Sequence, residues 1–284
     1  MSHLELRRAA LLSGIDLRTA RGLEFGPLMT PLVARNEGAV EYVDHASTAD
    51  LRVKYTDDPA VDTTRIVEID HVLEDGRLPA ALRHGGYDYV VAAHVFEHLP
   101  DPLGWLGECA GVLRPGGLVG LVIPDKRFTF DRIRPLTRLA DWVEARLEER
   151  RRPAPRHVFE GALNSVRMPA AVTWRRSPTP QELEPQAAAD PAWALALATR
   201  AARGYFDIHC TVVTPRACLD LLGTAAAVDL HPFRLDAFVD TVVDGYEFLV
   251  RLALAPAVSP ADRAASFHAA AATAHEGSAF DRAA

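Results

Sequence analysis

A doubly wound α/β fold built on a mostly parallel sheet is what this sequence predicts, on three observations. Short apolar runs alternate with amphipathic or polar segments through the first half of the chain, as βαβ units require. Four of those runs close on polar or glycine positions: Glu24 and Gly26, Asp44, Asp70 and His94. Near the C-terminal end, two apolar runs meet at Asp244-Gly245, the signal of an antiparallel hairpin.

In order, Leu23-Glu24-Phe25-Gly26 reads as a first strand ending in a glycine turn, and Val40 to Asp44 as a second. Ser47 then caps a helix over Thr48 to Tyr55. Arg65 to Asp70 is expected as the third strand, and Tyr87 to Ala93 as the fourth, running into His94. Pro102 to Leu113 places Leu103, Leu106, Ala110 and Leu113 at helical spacing, and Arg114-Pro115-Gly116-Gly117 stops that helix. Leu118 to Ile123 is apolar throughout, as suits a central strand covered on both faces.

After Pro124 the pattern changes. Pro135 to Arg150 predicts an amphipathic helix, and residues 151–192, rich in Pro and Arg, an irregular lid. Trp193 to Arg203 predicts a helix stopped by Gly204, and Asp207 to Val213 a strand. Thr214-Pro215 opens a further helix that runs to Gly223. Phe233 to Val242 and Tyr246 to Leu254 form the hairpin, and a helix is expected over Ala261 to Ala272. The organisation is thus one domain over 1–254, with 125–206 as lid or substrate insert, and an Ala-rich tail over 255–284.

Composition narrows the class. Of 284 residues 49% are hydrophobic and 24% charged, which is globular rather than disordered. The net charge is −7 without a basic stripe, so a small-molecule substrate is expected rather than nucleic acid. The apolar stretches are too short for a membrane span, and the first fourteen residues lack a signal-peptide pattern. Cys109, Cys210 and Cys218 show no CxxC spacing and read as thiols of a reducing compartment. A cytoplasmic location is expected.

In an open α/β sheet, ligands bind outside the carboxyl ends of the strands. Glu24 and Asp44 are twenty residues apart, the spacing at which such folds place an acid on a ribose diol. A carboxylate suits that task because it accepts from both hydroxyls. Gly26-Pro27-Leu28-Met29-Thr30 holds one glycine where a pyrophosphate loop wants three, and Pro27 removes an N–H donor. That argues for a nucleoside cofactor without phosphates and against NAD.

The run from Tyr87 to Asp101, with His94-Val95-Phe96-Glu97-His98-Leu99-Pro100 at its centre, resembles the fourth-strand region of class I S-adenosylmethionine-dependent methyltransferases. Val112-Leu113-Arg114-Pro115-Gly116-Gly117-Leu118 is similar to their passage into the fifth strand, and Leu23-Glu24-Phe25-Gly26-Pro27 to a variant of their first motif. The resemblance covers roughly residues 20–125 and 207–254 and implies their Rossmann-like seven-stranded sheet. Pro124 to Pro135, with Asp207-Ile208-His209, looks like stretches of bacterial methyltransferase-like proteins of glycan or secondary-metabolite pathways.

The resemblance implies S-adenosylmethionine as cofactor. Glu24 and Gly26 would lie at its methionine and ribose end, Asp44 on the ribose hydroxyls, Asp70 or His71 near the adenine, and His94 between cofactor and substrate. The implied reaction moves a methyl group to O, N or C of a small polar metabolite, anionic or sugar-derived. Two alternatives stay open: a catalytically silent or regulatory binding module, suggested by the degenerate first motif, and a non-methylating transferase using the same cofactor.

Methyl transfer is an in-line displacement, so the protein mainly aligns the reactants. An oxygen or nitrogen acceptor also loses a proton, and His94 and His209 are the candidate general bases. Arg127, Arg132 and Arg134, with Lys126, lie just after the fifth strand and are candidates to clamp an anionic substrate. His98 is expected to fix the loop before the next helix. His157 and His209, with Asp207 or Asp131, lack a tight ligand motif, and no metal is expected. The helix carrying Trp142 has both charge signs on its polar face, which favours lid packing or a homodimer contact over a membrane surface.

Overall fold

The computed structural model describes residues 2–167, 173–185 and 190–275. Parts of the expected insert (168–172 and 186–189) and the end of the tail (276–284) lie outside the described residues.

Seven strands form one sheet in the order β3-β2-β1-β4-β5-β7-β6. They are β1 (Arg21–Phe25), β2 (Ala39–Asp44), β3 (His71–Val72), β4 (Tyr87–Ala93), β5 (Leu113–Pro124), β6 (Phe233–Val239) and β7 (Glu247–Leu254). The first five are parallel, while β7 runs antiparallel to both β5 and β6. The strand order reverses between β1 and β4, which opens the ligand crevice beyond Phe25 and Ala93.

The pleat sorts the core onto two faces. On β4, Tyr89 and Val91 face a cluster with Leu11, Tyr42, Val122 and Leu249. Val90 and Ala92 face the other, with Leu106, Val119, Leu222 and Phe248. The second face is covered by α3 (Pro102–Val112), α7 (Pro215–Ala227) and α8 (Pro260–Ala271). The first is covered by α1 (His3–Leu11) and by the 26–38 segment, which holds no helix but buries Leu32 and Val33. Helix α1 has no counterpart among the expected elements; its start is a capping box between Ser2 and Glu5.

Helix α2 (Thr48–Lys54), capped by Ser47, and α7, capped by Thr214 with Pro215 next, start where expected. Elsewhere the structure corrects the sequence reading. Arg65 to Asp70 is not a strand: Val67 N donates to Leu28 O, Ile69 N to Thr48 Oγ1 and Asp70 N to Tyr42 O. Val67 and Ile69 pack against the cluster of Leu11, Tyr42 and Tyr89, and the three amides bond to a loop, to a side chain of α2 and singly to β2, leaving β3 with two residues.

Asp207 to Val213 is extended but joins no ladder, because β7 already occupies the free edge of β5. It crosses the carboxyl edge of the sheet instead, with Cys210 N and Thr211 N both donating to Glu97 O at 2.6 and 3.0 Å. The amphipathic helix shortens to α4 (Leu139–Leu147), and the irregular stretch contains α5 (Pro155–Asn164), started by its proline; α6 (Pro191–Ala201) follows. The hairpin ladder closes at Val239–Leu249, so Asp244, with φ +62°, turns inside a longer loop than a two-residue turn.

Phe96, with no exposed surface, meets Trp105 and Trp142 edge-on at centroid distances of 6.2 and 5.8 Å, joining β4, α3 and α4. Phe96→Ala is expected to cost about 3–5 kcal/mol of stability, read as a lower midpoint in urea unfolding.

Candidate active site

The carboxyl ends of β1 and β2 form one half of the crevice. Gly26 has φ +62°, and a Cβ there would sit 2.7 Å from Val95 Cγ2, so β1 turns tightly against the segment leaving β4. Glu24 is 2% exposed and accepts from Leu32 N (2.6 Å) and Val33 N (3.0 Å). Burial pushes its carboxyl up to about 7 against the pull of those two amides and of Arg8. Glu24 therefore pins the loop after Gly26.

Asp44 is buried at the end of β2, where Oδ1 accepts from His45 N at 2.6 Å and lies 2.5 Å from His45 Nδ1. Tyr205 stacks on His45, so the segment entering 207–213 walls this side. Asp70 is placed elsewhere: its Oδ2 accepts from Tyr42 N and Arg35 Nη2, both at 2.7 Å. The strand expected to carry it does not form there, and Asp70 fastens the flank of β2. His71 likewise turns to Glu41, 2.8 Å away.

The other half begins at His94, a non-glycine residue at φ +54° on the end of β4. Its Nε2 donates to Glu247 Oε2 at 2.8 Å, its Nδ1 lies 3.5 Å from Glu97 Oε1, and its ring stacks on Tyr246. Burial opposes the imidazolium, but the bonds to Glu247 and Glu97 outweigh it and raise the pKa to about 9. Glu247 falls to about 2 in return: burial opposes its ionisation, yet His94 and Arg7 outweigh it, Arg7 donating twice at 2.7 and 2.6 Å. Arg7 Nη2 also lies 3.1 Å from His94 Nε2, so both ring nitrogens of His94 are engaged by protein groups, which weighs against its role as a general base.

His209 keeps the basic candidacy. It is 7% exposed, and its Nδ1 donates to Asp131 Oδ2 at 2.5 Å. Burial alone would raise the Asp131 carboxyl, but the His209 bond and the Arg134 charge hold it below the usual range. Arg134 is 1% exposed and binds Asp131 (2.8 Å), Glu160 (2.8 Å) and His209 O (3.0 Å). His209 packs edge-on against His98, ring centroids 4.6 Å apart, beside buried Glu97.

The arginines expected to clamp an anion are engaged internally. Arg134 is enclosed by the pairs just described. Arg127 forks onto Asp125 and donates to His275 O, and Arg132 donates to Arg127 O. The cluster reads as surface because like charges crowd together in sequence, whereas Arg134 is buried by Glu160 and His209, which lie 26 and 75 positions away. Sequence reasoning missed Glu97, Glu247 and Arg7. Arg7 and Glu247 are 240 positions apart, beyond any local pattern; Glu97 does stand in the fourth-strand motif.

A cavity of about 540 Å³ beside α3, lined by Arg77, Asp101, Trp105, Glu108 and Arg146 among others, includes none of these site residues.

Residues 6–178 match the model of a family described as a methyltransferase domain. The chain belongs to that family. It is similar to the ubiquinone biosynthesis O-methyltransferase of Vibrio parahaemolyticus, 39% identical over 56 residues, or 20% of this chain. The enzyme of that name from Xanthomonas campestris is 36% identical over 55 residues, or 19% of this chain. The chain spans 23% of the length of each of these curated relatives.

Among solved structures it is similar to an S-adenosylmethionine-dependent methyltransferase from Mesorhizobium loti, 14% identical with a TM-score of 0.45, covering 88% of this chain and 96% of that one. It is also similar to the magnesium protoporphyrin IX methyltransferase of Synechocystis, 9% identical with a TM-score of 0.38, covering 88% and 81%. No helix among the described residues of this methyltransferase is long and apolar enough to cross a membrane.

Glu24 sets a pH dependence of stability. Below about pH 4.5 both folded and unfolded forms hold its proton; between 4.5 and 7 only the folded form does, so stability falls as pH rises through that window. The loss is on the order of 3 kcal/mol. Melting temperatures of wild type and Glu24→Gln compared at pH 5 and pH 8 should show a steeper decline in the wild type.

Proposed function

We propose that this methyltransferase acts on a hydroxyl oxygen of a small, uncharged polar molecule, bound where the end of β4 meets the crossing segment 207–213. The observation that carries the reading is the buried Asp131–His209 pair beside His94 and Glu97. A hydroxyl has to lose its proton as it attacks, and an imidazole oriented by a carboxylate is suited to receive it. Charge favours an uncharged acceptor: Arg7 and Arg134 both face carboxylates, which leaves neither to balance an anion.

The cofactor residues suit a nucleoside. Gly26 leaves room that a Cβ would fill, and Asp44 ends β2 with its Oδ1 held by His45, so its carboxylate can also accept from the hydroxyls of a ribose. When bound, S-adenosylmethionine supplies an electrophilic methyl group on a sulfonium sulfur and leaves as S-adenosylhomocysteine.

The chain's own residues do the rest. Asp131 holds Nδ1 of His209, so Nε2 is the nitrogen that takes the hydroxyl proton while the oxygen lone pair bonds to carbon. The His94 imidazolium, fixed by Glu247, donates at the edge of the crevice and keeps Glu97 charge-balanced. Tyr205, stacked on His45, and the 207–213 segment, bonded to Glu97 O, flank the crevice.

The test is incubation with S-adenosylmethionine and a panel of alcohols, phenols, amines and carbon acids, with both products read by mass spectrometry. S-adenosylhomocysteine with a methoxy product is expected. Turnover confined to amines or carbon acids, or methylthioadenosine as the spent cofactor, overturns the reading. Asp44→Asn should weaken S-adenosylhomocysteine binding by roughly 10- to 100-fold in calorimetry, the scale of a lost charge-assisted hydrogen bond. His209→Asn should lower kcat by about 10²- to 10⁴-fold while that affinity stays within about twofold.

A further inference from the structure

Glu97 presents a chemical problem that its neighbours solve only in part. It is 1% exposed, and although Oε1 lies 3.5 Å from His94 Nδ1, Oε2 has no hydrogen-bond partner. A buried carboxylate oxygen without a donor is costly and asks for a positive partner. The side chains around it are two imidazoles whose Nδ1 atoms both face carboxylates. His209 Nδ1 is bonded to Asp131, and His98 Nδ1 lies 2.9 Å from Asp207 Oδ1, though out of line for a hydrogen bond. Nε2 of each ring is therefore the nitrogen left for a ligand.

One donor atom from each of Glu97, His98 and His209 lies within 4.8 Å of the others. We infer that these three residues form a binding site for a divalent transition-metal cation. Three protein ligands with open positions is the pattern of a catalytic rather than a structural metal site. Two imidazoles and one carboxylate suit zinc, manganese, iron or cobalt ions better than magnesium or calcium. Asp131 and Asp207 stand behind the two rings as the carboxylates that orient metal-binding histidines usually do. Ligand atoms at ordinary metal distances stand roughly 3.4 Å apart in a tetrahedron, a spacing the three atoms reach by small side-chain movements.

The assignment rests on the reading of hydroxyl methylation for its consequence: a cation held by Glu97, His98 and His209 would supply a Lewis acid that lowers the pKa of the acceptor hydroxyl, and Nε2 of His209 would then hold the cation in place of acting as the direct base. The Glu97 main chain holds the 207–213 segment through Cys210 N and Thr211 N, so all three ligands stand on one clipped unit.

The experiment is a Co²⁺ titration of the full chain after chelator treatment, followed by visible absorption. One equivalent is expected to bind, with affinity at least about tenfold weaker in Glu97→Gln and in His209→Asn. His157→Asn, a histidine outside the cluster, should bind as wild type does. S-adenosylhomocysteine binding to each variant, measured by calorimetry, reports that it is folded. Absence of stoichiometric Co²⁺ binding, or binding unchanged in both cluster variants, overturns the metal site. Methyl transfer by the chelator-treated enzyme at the full rate also overturns it, and leaves the hydroxyl reading with His209 as direct base intact.

Discussion

The burial of Glu97 is the constraint around which the carboxyl edge of the sheet is organised. A carboxylate with 1% exposure is tolerated only where positive or polar partners replace the water it has lost. Its side chain is met by His94, whose hydrogen bond helps keep it ionised against burial, and the rings of His98 and His209 pack beside it. Its main-chain oxygen accepts from Cys210 and Thr211, which draws the crossing segment over the edge. The residue that needs covering thus holds its own cover. Deleting its charge would release the electrostatic reason for the histidines while its main-chain oxygen still held the crossing segment.

Two rails of alternating charge run outward from that point. One passes from Glu97 through His94 and Glu247 to Arg7, tying β4 to β7 and to α1. The other passes from His209 through Asp131 and Arg134 to Glu160 on α5. In a low-dielectric interior each charge along such a rail depends on the next, so the rails act as units. They bring residues from the first helix, the closing hairpin and the insert into one preorganised array, which is the arrangement electrostatic catalysis asks for.

How much of this is legible in the sequence follows from how local each feature is. β1, β2, β4 and β5 are readable because parallel central strands are short apolar runs, and Gly26, Asp44 and His94 because they end such runs. The helix starts at Ser47 and Thr214-Pro215 are readable because capping is a matter of three or four residues. Arg65 to Asp70 misleads because apolar alternation records burial, not where the amides bond. The rails are illegible because each depends on a link between residues far apart, Asp131 with His209 over 78 positions and Arg7 with Glu247 over 240. Arg134 shows the cost of reading charge locally: among arginines it looks like surface, yet it is among the largest fully buried side chains.

The missing glycines after Gly26 have a physical counterpart that bears on the cofactor. Residues 26–38 form no helix, so no ring of free N–H groups and no positive dipole end is aimed at the crevice from β1. The amides of Leu32 and Val33 are turned onto Glu24 instead, and the loop buries its apolar side chains against the sheet. Those two amides are not available to a pyrophosphate. Asp44, Glu97 and Glu247 line the same edge, and an edge rich in carboxylates favours a ligand that carries positive charge. A sulfonium nucleoside meets both conditions, a sugar diol for Asp44 and a cation for the edge, so the departure from the glycine-rich pattern suits this cofactor.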